Sequence, residues 1–286
     1  MPKIAVMTDS GCGIAPEKAH QLGLYFLPLQ ISCGSTTYRD CYEISTTDVY
    51  QRLAKGEMPK TACPNGADID TTLRQIVLDG YDQCIFVPLS AGLSSTGENV
   101  KAFAKEHPLD LRVVECGSTC QVELHIATYC KTLVDQGLDI DTIIDKANDM
   151  VNTNLSLVVP FDLDHLKRGG RLTPMAASMA NLLKIKPVLL ISPQTNGKLD
   201  VYAKIRTECK ALSFIVDKIK ETAGQDHYHL YVIHSNAPET AKQLVSMLND
   251  GSTNFTIDTA LISSVIAAHT GLNCVAIQMV KDGTDL

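Results

Sequence analysis

Between residues 3 and 136 the hydrophobic period of the chain switches back and forth. Short apolar, β-branched runs ("KIAVMT" 3–8, "LYFLPLQI" 24–31, "QCIFVPL" 83–89, "LRVVE" 111–115) have the pattern of strands buried on both faces. Between them lie segments with helical period and helical punctuation. "PEKAHQLG" (16–23) has Pro in its first turn and Gly at its end, and "TTDVYQRLAKG" (46–56) has a Thr or Asp cap and a Gly stop. "ADIDTTLRQIVLDG" (67–80), "ENVKAFAKEH" (98–107) and a segment running to about 136 continue the series. Strands that alternate with helices at this spacing are joined by crossovers, which makes them parallel. Residues 1–150 therefore read as a Rossmann-like, doubly wound α/β domain.

The second half has another rhythm. A helix "IDTIIDKANDMVNT" and a strand "LSLVVP" (155–160) lead through "DLDHLKRGGRL" to a predicted helix "AASMANLLKI". "PVLLIS" (187–192) and "VYAKIR" flank "PQTNGKLD", whose Asn-Gly marks a hairpin. Helix "KALSFIVDKIKETAG", strand "HLYVIH" (229–234) and helix "PETAKQLVSML" follow, and strands are expected near 255–263 and 273–280. A hairpin together with βα units predicts a mixed α+β domain over residues 151–286. No low-complexity linker separates the halves, so an extensive interface is expected.

A chain of 286 residues accommodates two such domains. No run approaches the roughly 18 apolar residues needed to span a membrane, and "MPKIAVMTDS" lacks a signal-peptide pattern, so a cytoplasmic location without membrane insertion is expected. The ten cysteines are scattered without a C-x-x-C, which favours free thiols. The net charge of −7 argues against a nucleic-acid binder. That charge is uneven: residues 1–150 carry −8 and residues 151–286 carry +1. Within 165–210, Lys167, Arg168, Arg171, Lys184, Lys186, Lys198, Lys204, Arg206 and Lys210 face only Asp200 and Glu208. Such a region is either a solvated face or a docking surface for an acidic or phosphate-bearing partner.

In open α/β sheets ligands lie beyond the carboxyl ends of the strands, which directs attention to the turns. "MPKTACPNG" (58–66) presents Thr61 before a Pro-fixed turn. "SAGLSSTG" places Ser94, Ser95 and Thr96 before a helix, where hydroxyls and free N–H groups hold an anion or merely cap. After the predicted strand "TALISSVIAA" come His269, Thr270 and Gly271. Enzyme templates fit poorly. "GLSSTG" is not G-x-S-x-G, "GCGIAP" lacks a third glycine, and there is no G-x-x-x-x-G-K-[ST]. His227, His229 and His234 share one strand region without a nearby Cys or carboxylate to complete a metal set, so no metal is expected. Hydroxyls, a helix start and an imidazole suit holding an anion better than breaking a bond.

The turns "VMTDS", "KTACPNG", "PLSAGLSSTGENV", "FDLDHLKRGGRL" and "VIAAHTG", in this order, resemble the DegV family of bacterial fatty-acid-binding proteins. The resemblance spans nearly the whole chain. It implies a two-domain α/β protein with a long-chain fatty acid in an apolar tunnel between the domains. The family's carboxylate-holding Thr, Ser and His fall on Thr61, Ser94 and His269, and family arginines fall on Arg171 and Arg206, as ligand or partner contacts beside Ser95, Thr96 and Thr270. It further implies a non-enzymatic role as the acyl-carrying subunit of a fatty acid kinase, with a separate ATP-using subunit docking on the basic 165–210 region and no cofactor besides the bound lipid. The sequence departs from the family pattern at "TACPN" (for T-S-Q-P-S), "SSTGEN" (for S-G-T-Y-Q-S) and "HTGLN" (for H-T-G-P-G), changes that bear on ligand selectivity. Each buried CH₂ contributes about 0.8 kcal/mol, so a chain of about 16 carbons supplies roughly 12 kcal/mol before binding costs. The alternative is a hydrolase or phosphate-handling enzyme with His269 as base. A transcriptional role is disfavoured by the acidic charge and the lack of a helix-turn-helix.

Overall fold

The computed structural model describes residues 3–179, 185–249, 251 and 255–283. Its first sheet is wholly parallel, in the order Tyr25–Leu27, Ile4–Asp9, Gln83–Val87, Asp110–Val113. Side chains alternate between the faces of a strand, and here both sets are apolar. Ile4, Val6, Ile85 and Val87 pack with Ile126 and Ile143 from the helices Gln121–Asp135 and Ile140–Val151. Ala5, Met7, Cys84 and Phe86 pack with Ile69, Leu73 and Val100 from Gly66–Leu78 and Thr96–Ala104. Helices on both faces explain why these strands read as continuous apolar runs.

The second sheet has six strands, in the order Asp200–Ile205, Lys186–Ile191, Leu155–Val159, Val275–Lys281, Tyr228–His234, Phe255–Leu261. All neighbours are antiparallel except the last pair. One face, with Leu157, Leu230 and Ile277, is covered by the amphipathic helices Glu208–Ala223 and Pro238–Leu248. The other face, with Val158, Leu189 and Ile233, turns toward the first half of the chain. The expected hairpin is present, but its loop is longer than a two-residue turn. A 3₁₀ turn Pro193–Thr195 precedes Asn196 and Gly197, both with positive φ. The loop docks on the first half, where the Ser90 hydroxyl donates to Gly197 O at 3.0 Å.

Two expectations fail. The run 24–31 is not one strand: Pro28 cannot donate to a ladder, and the chain leaves the parallel sheet after Leu27. It re-enters as Gln30–Cys33, the centre of a three-stranded antiparallel sheet with Thr36–Arg39 and Lys60–Ala62. Thr61 therefore sits on a strand, ahead of the turn that Pro64 begins. The stretch 264–268 is not strand either. Phe255–Leu261 ends where Ile262 N–H donates to His234 O, and Ser264–Thr270 forms a short helix. Its small residues Ala267 and Ala268 are buried, which allows close packing against Leu163–Gly169 and Thr46–Ala54. The predicted helix "AASMANLLKI" is observed as Pro174–Met179; residues 180–184, Lys184 among them, lie outside the described residues, and Ile185 is not helical but directly precedes the strand Lys186–Ile191. All ten cysteines are free, most of them buried.

Candidate functional site

A cavity of about 390 Å³ lies between the two halves, within the range of small-molecule sites. Most of its wall is aliphatic: Leu29 and Leu89 come from the first half, and Val158, Ile191, Ile233 and Ile262 from the second. One end is polar in an organised way. Thr61 Oγ1 lies 2.7 Å from His269 Nε2, across 208 residues of sequence. His269 Nδ1 lies 2.9 Å from Gly169 O, a carbonyl that can only accept. Nδ1 therefore carries the ring hydrogen, Nε2 carries the lone pair, and Thr61 donates to it. Burial, reinforced by the positive charge of Arg171, pushes His269 down to about 4, against the opposing pull of its bond to Gly169. The ring is neutral at physiological pH.

The helix Ser264–Thr270 sets the ring's position. His165 Nε2 donates to Ala268 O at 3.0 Å, and Gly271, at φ 75°, ends the helix directly after Thr270. Gly169 packs closely on the ring: a Cβ there would lie about 3.1 Å from His269 Nδ1, so the ring would have to give way by a few tenths of an ångström. Its carbonyl also accepts from Arg171 Nη1 at 3.2 Å, which brings a guanidinium to the cavity wall.

Ser94 lines the cavity near Cys63, with Sγ and Oγ 3.8 Å apart. Its hydroxyl also pairs with Thr96 Oγ1 at 2.8 Å and accepts from Thr96 N–H at 3.3 Å. Ser95 occupies the N-cap position of Thr96–Ala104 without a side-chain capping bond, and it lines the cavity. Thr270 lines it too, whereas Thr96 is buried behind the wall. Arg206 is exposed after the edge strand Asp200–Ile205 and is not among the cavity-lining residues. The structure thus brings together Thr61, Ser94, Ser95, Arg171, His269 and Thr270, and leaves Arg206 outside. Of the basic region, Lys167, Arg168, Lys198, Lys204 and Lys210 are exposed, while Lys186 is half-buried over the Phe161 ring.

Sequence reasoning missed the residues that hold the turns in place. Asp9 accepts from Gly11 N–H at 2.7 Å and from Leu89 N–H at 3.0 Å, tying the first βα turn to the turn that carries Ser94. Desolvation pushes its carboxyl up to about 7. Glu123, equally buried, is also driven upward, by burial first and by Asp9 second. Two carboxyls so placed cannot both ionise. Elsewhere in the cavity lining Gln278 donates to Thr119 O at 2.8 Å and to Ser156 Oγ at 3.1 Å, so these polar groups are satisfied. The "TDS" turn was the signal available for Asp9; Gln278 carried none.

An apolar cavity between an α/β sheet domain and a mixed sheet, with hydroxyls, an imidazole and a guanidinium at one end, has the chemistry to hold a small amphiphile with an acidic head. The family model described as "Uncharacterised protein, DegV family" matches residues 3–282. A DegV domain-containing protein of Streptococcus pneumoniae (spr1415) is 31% identical over 279 residues, covering 96% of this chain and 98% of its own. The crystal structure of a fatty acid binding DegV family protein, SAG1342 of Streptococcus agalactiae, superposes with a TM-score of 0.90 at 30% identity, covering 99% of this chain and all of that one. The fatty acid binding DegV protein of Bacillus subtilis gives a TM-score of 0.87 at 28% identity, covering 99% and 100%. The chain belongs to the DegV family.

Proposed function

We propose that this protein binds a long-chain fatty acid, with its carboxylate at Thr61, Ser94, Arg171 and His269 and its alkyl chain along the aliphatic wall. The observation that carries the reading is the Thr61–His269–Gly169 chain of hydrogen bonds at one end of an otherwise apolar cavity. A carboxylate cannot be buried without partners, and this end alone offers hydroxyls, an imidazole and a positive charge together. The related Streptococcus agalactiae and Bacillus subtilis proteins are described as fatty acid binding.

The carboxylate is presented, in this reading, to an ATP-using fatty acid kinase subunit that docks on the exposed cations of 165–210. The isolated chain is not an enzyme and works in the cytoplasm. Among the described residues no helix is long and apolar enough to cross a membrane. Denaturing extraction followed by mass spectrometry is expected to release a long-chain acid from the purified protein. A preparation that contains none and takes up none when supplied overturns the reading. Thr61→Ala and His269→Ala are expected to weaken lipid binding. Arg206→Ala is expected to keep binding and to lose phosphorylation by a kinase subunit. Lipid-free protein that hydrolyses acyl or phosphate esters, with activity lost in His269→Ala, would favour the enzymatic alternative.

A further inference from the structure

A second cluster of titratable side chains lies away from the cavity, where the helix Gln121–Asp135 crosses the six-stranded sheet. His229 projects from the strand Tyr228–His234, His125 from the helix, and Asp282 follows the strand Val275–Lys281. His229 Nδ1 is 3.5 Å from Asp282 Oδ1, and His125 Nε2 is 3.9 Å from the same oxygen. One ligand atom from each residue lies within 4.8 Å of the others.

The other ring nitrogens are already taken. His229 Nε2 donates to Asp258 Oδ2 at 2.8 Å, and His125 Nδ1 pairs with the Tyr231 hydroxyl at 2.8 Å. A neutral imidazole carries one N–H, so His229 Nδ1 presents a lone pair to Asp282, and His125 Nε2 does the same in the tautomer whose Nδ1–H donates to the Tyr231 hydroxyl. His227 Nδ1, 3.1 Å from Asp282 Oδ2, orients that carboxylate from its other side. Tyr231 stacks on His229 at 4.3 Å and fixes its plane.

We propose that His125, His229 and Asp282 form a binding site for a borderline divalent transition-metal ion of the zinc class. Two imidazoles and a carboxylate are a zinc-type donor set, and donors around such an ion stand about 3.3 Å apart, so a small contraction of the cluster closes the site. Asp258 and Tyr231 supply the outer hydrogen bonds that orient ligating histidines. A cleft lined by His125, Thr128 and Asp282 gives an entry path and an open position for water. The bound ion links the chain's last described strand to a helix of the first half. His234, whose Nδ1 accepts from Ala237 N–H, takes no part.

The test is titration of the chelator-stripped full chain with Zn²⁺ by calorimetry, with Co²⁺ as a spectroscopic probe. One ion per chain is expected, with a tetrahedral or five-coordinate Co²⁺ spectrum free of thiolate charge transfer. His229→Ala and Asp282→Asn should each weaken binding by more than about tenfold, and Asp258→Asn by about tenfold. Absence of one-to-one binding overturns the site, as does wild-type affinity in both ligand variants or a thiolate spectrum. The wild-type Co²⁺ spectrum decides the matter even if a variant fails to fold, and no arm depends on lipid binding.

Discussion

Carboxylate binding at His269 is expected to take up a proton. In the empty site Thr61 spends its only hydrogen on His269 Nε2, because Nδ1–H is fixed on Gly169 O. Thr61 can donate to a ligand carboxylate and keep its bond to His269 only if Nε2 is protonated and becomes the donor in that bond. The empty ring titrates at about 4. A carboxylate about 4 Å away at an effective dielectric of about 20 stabilises the imidazolium by about 4 kcal/mol, or roughly three pH units. The ring in the complex then titrates well above its empty-site value, in which the pull of Arg171 is already included. Between pH 5 and 7 the affinity for the ionised acid should fall by up to tenfold per pH unit. Calorimetry at pH 6 in two buffers of different ionisation enthalpy reads the proton directly: close to one proton per ligand is expected, and little at pH 8.5. Equal enthalpies in both buffers, with a dissociation constant flat from pH 5.5 to 7.5, would refute the hydrogen-bond argument. Proton uptake that survives in His269→Asn would show instead that the acid enters in its neutral form.

Three further outcomes follow from the geometry. The empty protein should lose stability as pH falls from about 6.5 toward 4, because the unfolded chain protonates His269 at its ordinary value while the fold resists to about 4; the loss from this group is at most about 3 kcal/mol, and denaturant melts of wild type and His269→Gln should differ over that window. Gly169→Ala places a Cβ about 3.1 Å from His269 Nδ1; it should weaken ligand binding at least severalfold with a smaller effect on chemical stability, and equal affinity would show that the ring is not held by this contact. Asp9→Asn replaces one of two acceptors of backbone N–H groups with a donor and should cost about 1–3 kcal/mol. Glu123→Gln removes a carboxyl that burial and Asp9 both oppose, and it should cost less or stabilise at neutral pH; the reverse order in urea melts would contradict the shared-proton description.

The first sheet was legible because strands covered on both faces need apolar side chains at every position, and Ile4–Asp9 and Gln83–Val87 supply them. The hairpin was announced by Asn196-Gly197, the positive-φ pair its loop requires. Local pattern failed where packing chose the conformation. "SVIAAHT" has the composition of a buried strand, and it coils because the next strand can begin only after a reversal at Gly271 and because alanines fit between two helices. Thr61, Ser94 and His269 could be nominated from motifs in three separated turns. Their residue types were in the sequence, but the direction of the hydrogen bond between Thr61 and His269 was not, since it depends on a carbonyl at Gly169, 100 residues from the ring it fixes. The same holds for His125, His229 and Asp282: each looks isolated along the chain, and only the crossing of a helix over an antiparallel strand pair brings them together. Sequence by itself set the periodicities and the chemical groups, which are local properties of the chain. The tertiary structure decided which groups share a proton, a cavity or an ion, because those are distances between residues that the chain order does not encode.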